Sequence, residues 1–169
     1  FTLFIDYIPY GDDYKRTAEY IKQALKRAGV DVTIRTQDTA AFTKRVYGDR
    51  DFDLSIAWFA AFSDPQIGVT RAYWSASIGK NIPWTNGSGY RNADVDRIIS
   101  QVQGEADSSK RVALFREFQK IVLTDLPTLP LAELKFFTVQ ASNLKSLTIR
   151  GDQVYGSFRD FWFDAAKGN

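Results

Sequence analysis

Over its first third the chain changes its hydrophobic period again and again, and that alternation limits the possible folds more than any other feature. Residues 1–8 are an apolar, aromatic run closed by Pro9-Tyr10-Gly11, the pattern of a strand leaving into a turn. Tyr14, Ala18, Ile21, Leu25 and Ala28 then recur at helical spacing, giving one apolar stripe. Asp12 or Asp13 is placed to cap that helix, and Gly29 to end it in the left-handed conformation. Val30, Val32 and Ile34 alternate with Asp31, Thr33 and Arg35 as a second strand. A short helix is expected over residues 40–47, followed by a third strand from Phe52. Strand, helix, strand, helix, strand, with crossovers of this length, predicts right-handed parallel units and an α/β sheet.

The remainder of the chain is less regular. In residues 66–89 Gly, Ser, Asn and Pro are interleaved with Tyr73, Trp74 and Trp84, and no period holds. An aromatic-rich loop of that length is unusual inside a compact domain, and such loops are commonly functional. Asn92 is placed to cap a helix with Val95, Ile98, Ile99 and Val102 on one face. Asp107 caps another that carries Leu114, Phe115, Phe118, Ile121 and Val122 before Pro127. Strands are expected over residues 129–140, 147–150 and 158–163.

Absences narrow the chemistry. The chain has 169 residues, enough for one domain with a full core, and neither Cys nor His. Thiol nucleophiles, disulfides, Ser-His-Asp triads and the usual zinc sites are thereby excluded, and no cofactor or metal is expected. The 22 Lys and Arg are scattered among 20 Asp and Glu, so no basic tract marks a nucleic-acid partner. No apolar stretch is long enough to span a membrane. With no Met, the chain is expected to begin inside something larger or processed.

Residues 52–65 carry the strongest functional signal. Leu54, Ile56 and Trp58 alternate with Asp53, Ser55 and Ala57 as a buried strand. The run then opens into Phe59, Ala60, Ala61 and Phe62 before Asp64-Pro65 stops it. In parallel α/β sheets ligands sit beyond the carboxyl ends of strands, which is where this aromatic and small-residue loop falls. Such a loop suits holding a ligand better than acid-base chemistry.

Other features have blander readings. Asn86-Gly87-Ser88-Gly89 can present amides to a ligand, but is more simply a turn and matches no phosphate loop. Asp94 and Asp96 face different ways on a helix and suit its first-turn dipole. Asp49, Asp51 and Asp53 lack the glycine and terminal Glu of a calcium loop. Asp64 is placed to cap the turn at Pro65.

Together these landmarks resemble the carboxy-terminal lobe of the dipeptide- and oligopeptide-binding proteins (family 5, cluster C) of ABC importers. The resemblance rests on the opening strand and helix, and on Phe52-Asp53-Leu54 rising to Trp58 and Asp64-Pro65. It continues through Asn86-Gly87-Ser88-Gly89-Tyr90, the Asn92 helix with Asp96, the Lys110-Arg111 helix running to Gln119, and Asp125-Leu126-Pro127-Thr128-Leu129-Pro130-Leu131. The closing landmark is Phe161-Trp162-Phe163.

The resemblance implies a periplasmic-binding-protein-like lobe, with a mixed, largely parallel sheet flanked by helices, over residues 1–169. It implies a periplasmic protein, or alternatively a membrane-anchored extracellular lipoprotein. Such a protein closes on a peptide or similar solute together with an amino-terminal lobe and delivers it to a membrane permease. Trp58, Phe59, Ala60, Ala61 and Phe62 would form one wall, with Trp84 and Asn86 nearby.

One departure matters. Ala61 stands where peptide-binding relatives carry an Asp that pairs with the ligand's α-amino group. Loss of that charge-assisted contact, worth about 1.5–3 kcal/mol, argues against capture of ordinary peptides by their amino terminus. It favours blocked or modified peptides, opines or sugars. The alternatives are a carboxylate-dependent hydrolase, which would need Glu133 or Asp152 near Asp64, and a protein-interaction domain built on an aromatic patch.

Overall fold

A computed structural model describes residues 1–62, 64–135, 139–146 and 161–164. The first strand, β1 (Thr2–Tyr7), is followed by α1 (Asp12–Arg27) and β2 (Asp31–Arg35). A short helix, α2 (Thr39–Thr43), runs into a π-turn (Lys44–Asp49) and then β3 (Leu54–Ile56). β1 lies between β2 and β3 and is parallel to both, with Ile5 opposite Ile34 on one side and Leu54 on the other. This is the expected α/β arrangement. The third strand is shorter than its alternation suggested, and Trp58 lies beyond it.

The stripe on α1 does what its spacing predicts. Ala18 is fully buried, and Tyr14, Ile21 and Leu25 pack with it against Ile5, Tyr7, Val32 and Ile56. Expectation and structure differ at the amino end. Gly11 occupies the cap position and makes no side-chain cap bond, while Asp12 and Asp13 lie inside the first turn. There they complement the helix dipole rather than cap it. At the other end Gly29 takes φ +81°. Its N–H reaches Lys26 O at 3.0 Å and the Val30 N–H reaches Leu25 O at 3.0 Å, a complete Schellman closure.

A second layer is helical. α3 (Pro65–Gly68) and two 3₁₀ turns (Thr70–Ala72 and Ser75–Ser77) give order to part of the segment read as aperiodic. α4 (Ala93–Gly104) and α5 (Ser108–Asp125) pack through Val95, Ile98, Ile99, Val102, Phe118 and Val122. Asn92 and Asp107 cap them as expected, each accepting from two first-turn amides. Tyr90 and Asn92 both donate to Asp125, at 2.5 and 2.8 Å, which ties the two helices together at one end. Desolvation, and then this bond to a carboxylate, push the Tyr90 hydroxyl up to about 12.

β4 (Leu144–Lys145) and β5 (Trp162–Phe163) form a separate antiparallel pair. The strand expected over 129–140 is not formed in its described part, where Pro130 and the preceding Pro127 interrupt regular pairing. The expectation for 147–150, the 158–160 end of the last strand, and Asp152 all lie outside the described residues.

Candidate aromatic ligand wall

The carboxyl ends of the three parallel strands carry one aromatic cluster. β1 leaves through Ile8-Pro9-Tyr10, and a bond from Ile8 N to Ile56 O (2.9 Å) holds this exit against β3. Beyond β3, Trp58 packs with Trp84 against a floor of Ile8, Phe42, Val46 and Tyr47. The rings of Trp58 and Trp84 are 6.1 Å apart, and the Tyr10 ring lies 5.9 Å from Trp84, both pairs tilted. Tyr10 was not singled out from the sequence. The signal was present in its place after Pro9 at a strand exit, but nothing local linked it to Trp84.

The 57–62 loop shapes the rest of the wall. Phe59 and Ala60 are half-buried, whereas Ala61 and Phe62 are exposed. Phe62 and Trp84 both adopt left-handed backbone, with φ of 49° and 54°. Non-glycine residues reach that region only at a cost of about 1–2 kcal/mol each, and such strain concentrates at functional loops. The loop rests on α3 so closely that a methyl group on Gly68 would stand 1.9 Å from Ala60 O.

Asp64 is fully engaged. Its Oδ1 accepts the Gln66 N–H at 2.8 Å as an amino-terminal cap, and its Oδ2 accepts from Arg111 at 2.6 Å. Arg111 also donates to Val102 O at 2.7 Å, so one side chain ties the loop to both α4 and α5.

Asn86 is buried, and its amide is used inside its own loop. Nδ2 donates to Trp74 O and Tyr90 O at 3.1 and 2.8 Å, and Oδ1 accepts from Tyr90 N at 3.0 Å and Ser88 Oγ at 3.2 Å. Gly87 beside it leaves room for Tyr47, whose ring would lie 2.8 Å from an added methyl. The Trp84 indole Nε1 is buried and has no hydrogen-bond partner among the described residues. Burial raises the Tyr47 hydroxyl, while a bond to the Trp84 backbone and the charge of Arg71 oppose that rise.

A second cluster at the same strand ends escaped the sequence reading. Asp6 on β1 is completely buried. It accepts from Arg35 Nε and Nη2 at 3.1 and 2.5 Å, Gln37 Nε2 at 2.6 Å and Arg45 Nη1 at 3.3 Å. Arg35 also lies 4.7 Å over the Phe4 ring and reaches Asp51. Two acids of the run before β3, Asp51 and Asp53, are therefore structural, since Asp53 also accepts from Phe4 N at 2.7 Å. No cluster of three or more His, Cys, Asp or Glu suited to a metal occurs among the described residues.

No protein-family model matches the chain. A D,D-dipeptide-binding periplasmic protein of Escherichia coli is 30% identical over 105 residues, which is 62% of this chain and 20% of that protein. The oligopeptide-binding protein OppA of Bacillus subtilis is 24% identical over 155 residues, covering 90% of this chain and 27% of its own.

Among solved structures, the murein tripeptide binding protein MppA of Escherichia coli superposes with TM-score 0.63 at 21% identity, over 75% of this chain and 23% of that one. The peptide-bound DppA of Helicobacter pylori gives TM-score 0.62 at 23% identity, over 75% and 24%. These likenesses establish the periplasmic-binding-protein-like fold. The chain is homologous to a segment of the family 5 peptide- and dipeptide-binding periplasmic proteins, and spans about a fifth to a quarter of the length of those it matches. Those homologues are substrate-binding proteins rather than enzymes. No helix among the described residues is long and apolar enough to cross a membrane.

Proposed function

We propose that this chain is one lobe of a periplasmic solute-binding protein, which closes with an amino-terminal lobe on a peptide or peptide-like solute and hands it to an ABC permease. The observation that carries the reading is the convergence of Tyr10, Trp58 and Trp84 at the carboxyl edge of the parallel sheet. Trp58, Phe59, Ala60, Ala61 and Phe62 form the wall with Trp84 and Tyr10, and Asn86 holds the loop that presents Trp84. Aromatic faces and bare backbone hold varied solutes by stacking and shape. Ala61 leaves that wall without the ammonium partner implied at its position, so blocked or modified peptides, opines and sugars are favoured over free peptides.

The hydrolase alternative needs a pair of available carboxylates. Asp64, the acid of this loop, is already committed to the Gln66 amide and Arg111. A binding role without catalysis accords with the homologues.

The test is the melting temperature of the full-length protein against free peptides, amino-blocked peptides, opines and oligosaccharides. A solute at a hundred times its Kd stabilises the folded form by about 2.7 kcal/mol. The same solute should shift a Trp58→Ala variant far less. No shift with any of these solutes would overturn the reading.

A further inference from the structure

Among the described residues, arginines are either exposed or paired with a carboxylate, with one exception. Arg35 and Arg45 are matched by Asp6 and Asp51, and Arg111 by Asp64. Arg97 is paired with Asp94 and Glu117. Arg16, Arg27, Arg50, Arg91 and Arg116 are exposed. Arg71 is half-buried and has no carboxylate partner among the described residues.

Its position is fixed from two sides. Arg71 Nε donates to Gly68 O at 3.1 Å. Gly68 is the residue on which the backbone of Ala60 and Ala61 rests. On the other side the charge of Arg71 reaches the Tyr47 hydroxyl, which is bonded to the Trp84 backbone. The side chain is therefore anchored on the residue that supports the Ala60–Ala61 backbone, at the foot of the loop that carries the aromatic wall.

A guanidinium partly removed from water and left unpaired is costly, and it keeps a planar fork of donors that matches a carboxylate. Of the positions in the 57–65 segment, Asp64 is neutralised by Arg111, and the position that would carry an Asp is Ala61.

We propose that Arg71 is the anion-recognising residue of this cleft, so that the solute presents a carboxylate, rather than an ammonium, to this lobe. The assignment rests on the solute-binding reading above. It reverses the polarity implied by the resemblance: in place of an acid for the ligand's amine, this lobe offers an arginine for an acid group of the ligand.

Isothermal titration of the full-length protein separates the possibilities. The probes are the tripeptide Ala-Phe-Ala with free ends, its N-acetyl form and its C-terminal amide, together with lactobionate and neutral lactose. For whichever scaffold binds, the carboxylate form should bind about 10- to 100-fold more tightly than its neutral counterpart. Acetylating the tripeptide amine should not weaken binding, there being no charge-assisted contact to lose.

Arg71→Gln should erase the carboxylate preference, and Arg71→Lys should keep part of it. Equal binding of acid and neutral forms, or a preference that survives Arg71→Gln, overturns the assignment while leaving the solute-binding reading intact. Should Arg71→Gln fail to fold, the comparison of acid and neutral probes on the unaltered protein decides alone. Failure of both scaffolds to bind at millimolar concentration overturns the assignment together with the reading beneath it.

Discussion

Two clusters sit at the carboxyl ends of the same three strands and treat polar groups in opposite ways. Around Asp6, a fully buried carboxylate is answered by two arginines and a glutamine, and only Gln37 Oε1 is left without a partner. Around Trp84, the indole N–H is buried and without a partner among the described residues, two aromatic residues hold left-handed backbone, and Arg71 pairs with no carboxylate among those residues. The first arrangement is complete in itself and gains little from a ligand. The second leaves strain and unused donors, which a ligand can relieve. Satisfied charge suits an anchor of the fold, and unsatisfied polarity is what the proposed binding wall would offer a solute.

The comparison breaks most sharply at Asp6. Asp6→Ala leaves Arg35 and Arg45 facing a buried gap, and should lower stability by about 3–5 kcal/mol in urea denaturation of the full-length protein. A loss below about 1 kcal/mol would show that the cluster is not the anchor described here.

Gly68→Ala attacks the other cluster through its support. The added methyl would collide with Ala60 O, which is backbone and cannot swing aside. The expected cost is about 1–3 kcal/mol of stability. Solute affinity should fall by more than in any Asp6 variant that still folds, and an unchanged affinity would detach the 57–62 loop from the wall.

The smallest effect sharpens the contrast most. Trp84→Phe keeps an aromatic face but removes a buried donor that has no partner among the described residues. Stability of the ligand-free protein should change by no more than about 1 kcal/mol, because the desolvation penalty that disappears offsets the packing lost with the smaller ring. A loss of 2 kcal/mol or more would mean that the indole nitrogen has a role in the fold.

Much of the scaffold was legible because its signals are local. The stripe on α1, the Schellman glycine and the caps Asn92, Asp107 and Asp64 each depend on residues a few positions apart. Proline at 65 and the burst of small and aromatic residues before it pointed to the 57–62 loop for the same reason. Local reading was weaker where chain neighbours compete. It placed the α1 cap one residue late, and it expected a strand after Pro127 where the described residues form none.

What the sequence determined by itself is the order of the first elements and the parallel pairing of their strands, since periodicity and turn chemistry are written within a few residues. Only the tertiary structure decided which distant side chains meet. Asp6 finds Arg35 and Arg45, Tyr10 finds Trp84, and Asn86 proves to be an internal clasp. Arg71 stands out only once every other half-buried arginine among the described residues has found its acid. Pairing across the fold depends on how strands and loops pack in three dimensions, and no spacing along the chain encodes whether a charge will be answered or left waiting.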